Sequence, residues 1–318
     1  MLEPPEVPPR WSDEAAFLLD GSLLARDGAM IVVIGATGMV GSATVKALRG
    51  RGAPVRALVR DPSRAGSIAG RGVDIVQGDL THPETVEPAL RGAEALFLVT
   101  PPSPDQVALQ RNAIESARKA AVGRVVKLSV DGASRDAPMA LGRWHWETEQ
   151  EIERSGVPFT MLRPTSFMQN LLASAAGIAT EGKLYAAMKA GRVPLIDVRD
   201  IADVAAVTLT DSGHEGEHYR LTGPEALSYE EIAATISEAT GRDVTYVDVP
   251  PDAARQGMLH AGLPAWLVED LLVLNTISIA GKIPVSPAVD AIIGTPGRTF
   301  AAFVRDNAGA FGASAGAM

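Results

Sequence analysis

The sequence predicts an α/β fold: a doubly wound parallel sheet with a small C-terminal lobe. Three observations carry this. Short β-branched runs alternate with longer helical patterns from Met30 onward, the signature of successive βαβ units. The first run, Ile31–Ile34, is apolar at every position, as in a strand buried on both faces. It is followed at once by glycines at positions 35, 38 and 41, spaced to form a tight turn into a helix.

Taken in order, the strand candidates are Ile31–Ile34, Val55–Val59, Val73–Val76, Ala95–Val99, Arg124–Leu128 and Phe159–Leu162. Between them, Asp105–Ala121 places Val107, Ile114 and Ala117 near one helical face, and a helix from about Leu141 to Ser155 is stopped by Gly156 and Pro158. Lys127 falls inside a strand pattern, so its charge is expected to reach a strand end or a loop. Arg192–Asp200 reads as a return to the sheet, followed by a helix through Ala206. Ser228 and Glu231 form a capping-box pattern opening a helix that carries Ile232 and Ile236 and closes at Gly241. Thr299–Val304 sets Phe300, Phe303 and Val304 at helical spacing. The expected organisation is an N-terminal extension over 1–29, Pro-rich and then apolar from Ala15 to Leu24. A domain follows over 30–308, its sheet core at about 30–165 plus 192–210 and its substrate lobe at 166–191 and 211–308. A flexible Gly/Ala tail is expected over 309–318.

Composition narrows the function. The 318 residues are 46% hydrophobic and 21% charged, an ordinary globular balance. A net charge of -9 argues against nucleic acid as a partner, because phosphate-backbone binding rests on clustered Lys and Arg. With no cysteine, disulfides, thiolate catalysis and Cys-based metal sites are excluded. No apolar stretch reaches the roughly 18 residues of a membrane span, and the start Met1-Leu2-Glu3-Pro4 lacks a basic leader, so a cytoplasmic location is expected. A homo-oligomer is compatible with the chain.

The glycine turn carries the chemistry. In Gly35-Ala36-Thr37-Gly38-Met39-Val40-Gly41, glycine serves the tight turn, close approach of the backbone to a pyrophosphate, and packing of helix on strand. The helix N-terminus beyond it presents free N–H groups to phosphate. At the end of the second strand, where an NAD enzyme usually places an acid for the ribose 2′-hydroxyl, this chain has Arg60, with Arg64 close behind. A guanidinium suits a 2′-phosphate, so the expected cofactor is NADPH. Asp61, before Pro62, is expected to start a turn.

With Val59-Arg60, Gly78-Asp79-Leu80, Ser155-Gly156-Val157-Pro158-Phe159, Phe167-Met168-Gln169-Asn170 and Asp197-Val198-Arg199-Asp200 added, the sequence resembles the NmrA-like branch of the atypical short-chain dehydrogenases from Met30 to about Ala308. The resemblance implies a Rossmann-type fold. It also implies that Asp79 and Leu80 lie beside the adenine, while Thr100, Pro101 and Ser129 border the nicotinamide. Members include quinone and azo-dye reductases and regulators that sense NADP without turnover. Related extended enzymes carry Tyr-x-x-x-Lys on the helix before the Ser-Gly turn; here those positions are Leu141 and His145.

Leu141, His145 and Glu149 share a helix face, so His145 is a candidate proton donor with Glu149 orienting it. The alternative is that His145 only lines the pocket. Trp144, beside it, and Phe167 and Asn170, after the sixth strand, are candidate substrate contacts, with core filling the other reading of Trp144 and Trp146. His214-Glu215-Gly216-Glu217-His218 matches a zinc-protease pattern by letter, but Gly213 and Gly216 disfavour the helix it needs, and no metal site is expected. The expected activity is hydride transfer from NADPH to a small conjugated acceptor such as a quinone, azo compound or imine. The other reading is an NADP-sensing regulator acting through a protein partner.

Overall fold

The computed structural model describes residues 29–312; the expected N-terminal extension, apart from Ala29, and residues 313–318 lie outside them. The first half runs β1 (Met30–Ile34), α1 (Met39–Gly50), β2 (Val55–Val59), β3 (Val73–Gln77), α2 (Pro83–Leu90), β4 (Ala93–Leu98), α3 (Gln106–Lys119), β5 (Arg124–Leu128), α4 (Ala140–Ser155) and β6 (Phe159–Pro164). Next come α5 (Ala175–Glu181), β7 (Lys183–Ala186), β8 (Arg192–Val193), α6 (Val198–Thr210), β9 (Glu217–Leu221), β10 (Leu227–Ser228) and α7 (Tyr229–Thr240). The chain ends through β11 (Thr245–Asp248), α8 (Pro251–His260), α9 (Ala265–Ile279), α10 (Ala288–Ile293) and α11 (Phe300–Asp306).

Seven strands form one sheet in the order β3-β2-β1-β4-β5-β6-β9, all pairs parallel. Strand order reverses between β1 and β4, which opens a crevice at their carboxyl ends. Because side chains alternate across a strand, the sheet feeds two cores. Val33, Phe97, Val126, Leu128 and Leu162 pack with Val45 and Leu48 of α1 and Ile201 and Val204 of α6. Val32, Leu96, Val125 and Met161 face the other way, onto Leu90 of α2, Ile114 and Ala117 of α3 and Ile152 of α4. A third core belongs to the C-terminal lobe and joins Met168, Ile178, Leu184, Val193, Ile232, Ile236, Phe300 and Phe303.

Helix ends follow the local chemistry. Gly156, at φ +74°, ends α4, and Asp197 caps α6 by accepting from the Arg199 N–H at 2.8 Å. Ser228 and Glu231 make both halves of the capping box on α7.

Two expectations need correction. Arg192–Asp200 does not return to the main sheet: β8 pairs antiparallel with β10 inside the lobe, and the seventh main strand is β9. The run is apolar because Val193, Leu195 and Ile196 are buried where the chain passes between lobe and sheet. The tail is likewise not free from residue 309. Phe311 is fully buried in the lobe core, a burial that contributes about 1.5–3 kcal/mol.

Candidate functional site

The glycine turn sits at the reversal point, between the end of β1 and the start of α1. Gly35 adopts φ +76°, and a Cβ there would lie 2.3 Å from the Val99 carbonyl oxygen. A Cβ on Gly41 would stand 2.1 Å from the Gly35 carbonyl oxygen, so α1 is drawn in to backbone contact with the turn. Gly38 closes the turn by donating its N–H to the Gly35 carbonyl at 2.9 Å. Thr37, Gly38 and Met39 are exposed, whereas Val40 and Gly41 are buried. The turn thus offers its backbone and the first N–H groups of α1, with no acidic residue in that turn of helix.

Arg60 and Arg64 stand exposed beyond β2, and neither guanidinium makes a hydrogen bond or ion pair among the described residues. Asp61 does not neutralise them through a contact. Its carboxylate accepts from the Ser63 N–H at 3.0 Å and hydroxyl at 2.7 Å, capping the short turn Pro62–Ala65, as its place before Pro62 predicts. Those Ser63 hydrogen bonds, with help from Arg64, hold its pKa below the ordinary range. Asp79 accepts from the Thr81 N–H at 2.9 Å, which lowers its pKa, and Arg60 is near enough to add to the effect. Asp79 and Leu80 are half-buried, and the Leu80 carbonyl accepts from Asn112 Nδ2. These residues suit a dinucleotide phosphate: a backbone cradle drawn too tight for side chains, a helix N-terminus, and two unpaired cations where a 2′-phosphate would fall.

Along the crevice, half-buried Thr100 accepts a hydrogen bond from Gln110 Nε2 at 2.7 Å, and Pro101 is exposed. One strand over, β5 points Lys127 and Ser129 toward α4, the alternation that places Val125 in the α-helical layer on that side. Here a charged network lies buried. Ser129 donates to Glu149 Oε1 at 2.5 Å. Arg163 of β6 grips the same carboxylate with both arms, Nε to Oε1 at 3.0 Å and Nη2 to Oε2 at 2.5 Å. Lys127, with no exposed surface, meets His145 Nδ1 at 2.7 Å and the Leu128 carbonyl at 3.2 Å.

This corrects two expectations. Glu149 does not orient His145, because Arg163 and Ser129 occupy both its oxygens. Lys127 does not reach a strand end or loop; it is the partner of His145. Burial, and then the adjacent Lys127, push the imidazole's pKa well below its ordinary value, so His145 is neutral at physiological pH. The Lys127 ammonium can donate only to an unprotonated Nδ1, an arrangement that puts the ring proton on Nε2. Nε2 has no hydrogen-bond partner among the described residues, and His145 as a whole is 8% exposed.

The C-terminal lobe closes on α4. Trp144 packs against Trp266 of α9 with ring centroids 5.0 Å apart and planes at 60°. Asp270 of α9, almost wholly buried, accepts from the Ala140 and Leu141 N–H groups at 2.8 and 2.7 Å and caps α4 from across the lobe boundary. Phe167 is half-buried and bridges to Ile196, while Asn170 is exposed. A separate cleft of about 400 Å³ lies beyond β5, β6 and β9, between Asp131, Arg163, Arg220 and Ser286. Its charges are already paired, Arg220 with Asp131 at 2.7 Å and Arg163 with Glu149. His214 and His218 take separate partners, Tyr219 and Glu153, and the described residues contain no cluster of three metal-ligating side chains. No helix among them is long and apolar enough to cross a membrane.

Lys127, Arg163 and Asp270 were not singled out as site residues from sequence. For Lys127 the available signal was a lysine in the middle of a buried strand.

The fold and turn define a dinucleotide-binding α/β protein of the Rossmann type. The family model described as NmrA-like matches residues 28–291, and the chain belongs to that family. It is 41% identical over 289 residues to an NAD(P)H azoreductase of Xenophilus azovorans, covering 90% of this chain and all of that protein. The NADPH-dependent quinone oxidoreductase of Escherichia coli, solved in complex with NADPH, superposes with a TM-score of 0.80 at 29% identity, over 87% of this chain and 99% of that one. The Citrobacter triphenylmethane reductase complexed with NADP(H) gives 0.76 at 25%, with the same two coverages.

Proposed function

We propose that this protein is an NADPH-dependent oxidoreductase that reduces a small, flat, conjugated acceptor, a quinone or an azo compound, with His145 as the proton donor. The observation that carries the reading is the imidazole of His145 on α4, held 2.7 Å from Lys127 of β5, the strand next to the one that leads to Thr100. The reductase relatives support the same class.

The phosphate turn and α1 hold the pyrophosphate, Arg60 and Arg64 take the 2′-phosphate, and Asp79 and Leu80 flank the adenine. Thr100, Pro101 and Ser129 border the nicotinamide end, where bound NADPH supplies a hydride. Trp144, Phe167 and Asn170 line the acceptor side, and α9, fastened by Asp270, shields it from water. Hydride addition leaves negative charge on an acceptor oxygen or nitrogen, and the His145 Nε2–H is placed to neutralise it.

NADPH oxidation followed with a quinone and azo-dye panel tests the reading. Turnover above background is expected, and His145→Ala should lower kcat by about 10²-fold, the lower range for general acid catalysis. Tight NADP(H) binding without turnover of any acceptor would replace the enzyme with an NADP-binding sensor. Unchanged kcat in His145→Ala would remove the proton donor while leaving the reductase standing.

A further inference from the structure

Lys127 is a lysine in an apolar layer. It sits in the middle of the sheet, beside Leu98 of β4 and Met161 of β6, with no exposed surface and, among the described residues, no carboxylate within ion-pair distance. An unpaired buried ammonium is costly, and a methionine would fill the same space without that cost. The charged groups facing it are Glu149 and Arg163, and they neutralise each other through two hydrogen bonds. Its polar contacts among the described residues are the Leu128 carbonyl and His145 Nδ1, the ring nitrogen opposite Nε2.

We infer that Lys127 is the proton reservoir behind His145, so that Lys127, imidazole and acceptor form a two-step relay. The inference rests on the reductase reading above. As the acceptor receives the hydride and its electron pair, its anionic oxygen or nitrogen takes the proton from His145 Nε2. Nδ1 in turn takes a proton from the Lys127 ammonium, leaving a neutral amine and a neutral imidazole. Water then reloads Nε2, and the Nδ1 proton returns to Lys127. One hydride from NADPH and one proton from solvent are consumed per acceptor. Burial, opposed by Glu149, brings the Lys127 pKa down to about 7, so its proton is both present and transferable near neutrality.

The test is Lys127→Met assayed on two acceptors. A neutral quinone needs a proton as well as a hydride. A cationic triarylmethane dye such as crystal violet needs the hydride alone, because its carbocation becomes a neutral product. The relay requires the ratio of kcat on quinone to kcat on dye to fall at least tenfold in Lys127→Met. An unchanged ratio, whether both rates fall or neither does, overturns it, since a packing role would affect both acceptors alike. ¹⁵N NMR of the imidazole gives a readout independent of turnover and of the variant's folding. The wild-type His145 must carry its proton on Nε2, and a proton on Nδ1 overturns the relay. If no acceptor is reduced, the reductase reading fails, and the imidazole spectrum alone decides the hydrogen bond on which the relay depends.

Discussion

Replacing Gly35 with alanine should disable the nucleotide turn by a mechanism that can be separated into two parts. The residue adopts φ +76°, a region that charges a side-chain-bearing residue about 1–2 kcal/mol. Its new Cβ would also lie 2.3 Å from the Val99 carbonyl oxygen and 2.8 Å from Val99 Cγ1. Both atoms belong to the chain leaving β4, so the clash is relieved only by moving the turn away from that strand, an overpacking cost of about 1–3 kcal/mol. Together these make about 2–5 kcal/mol, a large share of a typical domain's stability. Gly52 is the matched control: its φ is +74°, but nothing lies within 4 Å of its Cβ position. Thermal melting should therefore show Gly35→Ala falling well below Gly52→Ala, on the order of 10 °C against a few degrees. Fluorescence titration should show NADPH binding weakened at least tenfold in Gly35→Ala and unchanged in Gly52→Ala. Equal melting points and equal affinities in the two variants would refute the argument that contact with Val99 shapes the phosphate turn.

Arg60→Glu should weaken NADPH at least tenfold, about 1.4 kcal/mol, with little effect on NADH; equal loss of both in a parallel titration would sink the 2′-phosphate assignment. Asp270→Ala should cost about 1 kcal/mol by uncapping α4 and should raise hydrogen exchange at Ala140 and Leu141; unchanged exchange there would contradict the cap. Lys127 also predicts a pH dependence. Its folded pKa of about 7 lies below the ordinary 10.5, so the unfolded chain binds more protons between those values and stability rises with pH across that window. The slope approaches about 1.4 kcal/mol per pH unit for one fully linked group. Urea unfolding at pH 7 and pH 9 should show a smaller gain in Lys127→Met than in the wild type, and equal gains would refute the shift.

The parallel sheet was legible because β-branched runs and glycine turns are dictated by short-range stereochemistry. Six of its seven strands lie where the apolar runs predict, and the capping boundaries of α4 and α7 follow from Gly156, Ser228 and Glu231. The seventh strand, β9, is an edge with mostly exposed side chains, so its pattern is weak, while the buried crossing around Val193–Ile196 imitates a core strand. Phe311 was hidden for a different reason: a lone aromatic among Gly and Ala has no periodicity to reveal that it is buried. Around the candidate site, the features whose geometry follows the sequence are local ones, the tight glycine turn and the turn that Asp61 caps. The helical spacing of His145 and Glu149 implied a pair, and both do face the sheet. Which groups they meet depends on the register of β5 and β6 against α4, and that is a tertiary fact.

That register bears on the Tyr-x-x-x-Lys arrangement of related extended enzymes, which this chain lacks. In that arrangement the proton donor and the cation that tunes it both come from one helix. Here the tyrosine position is Leu141, whose N–H is committed to Asp270, and the lysine position is His145. In the proposed relay, a donor with a cation behind it is recovered by drawing the cation from the neighbouring strand, through the 2.7 Å contact of Lys127 with Nδ1. Charge balance favours this arrangement. Glu149 and Arg163 already cancel, so the cluster is neutral when Lys127 is a free amine and carries a single positive charge when it is protonated. Had Glu149 paired with Lys127 instead, the ammonium would be stabilised and its proton retained. In the proposed relay, Arg163 captures that carboxylate and so leaves Lys127 able to give its proton up, and substitution of Arg163 is therefore expected to change the ratio of kcat on quinone to kcat on dye.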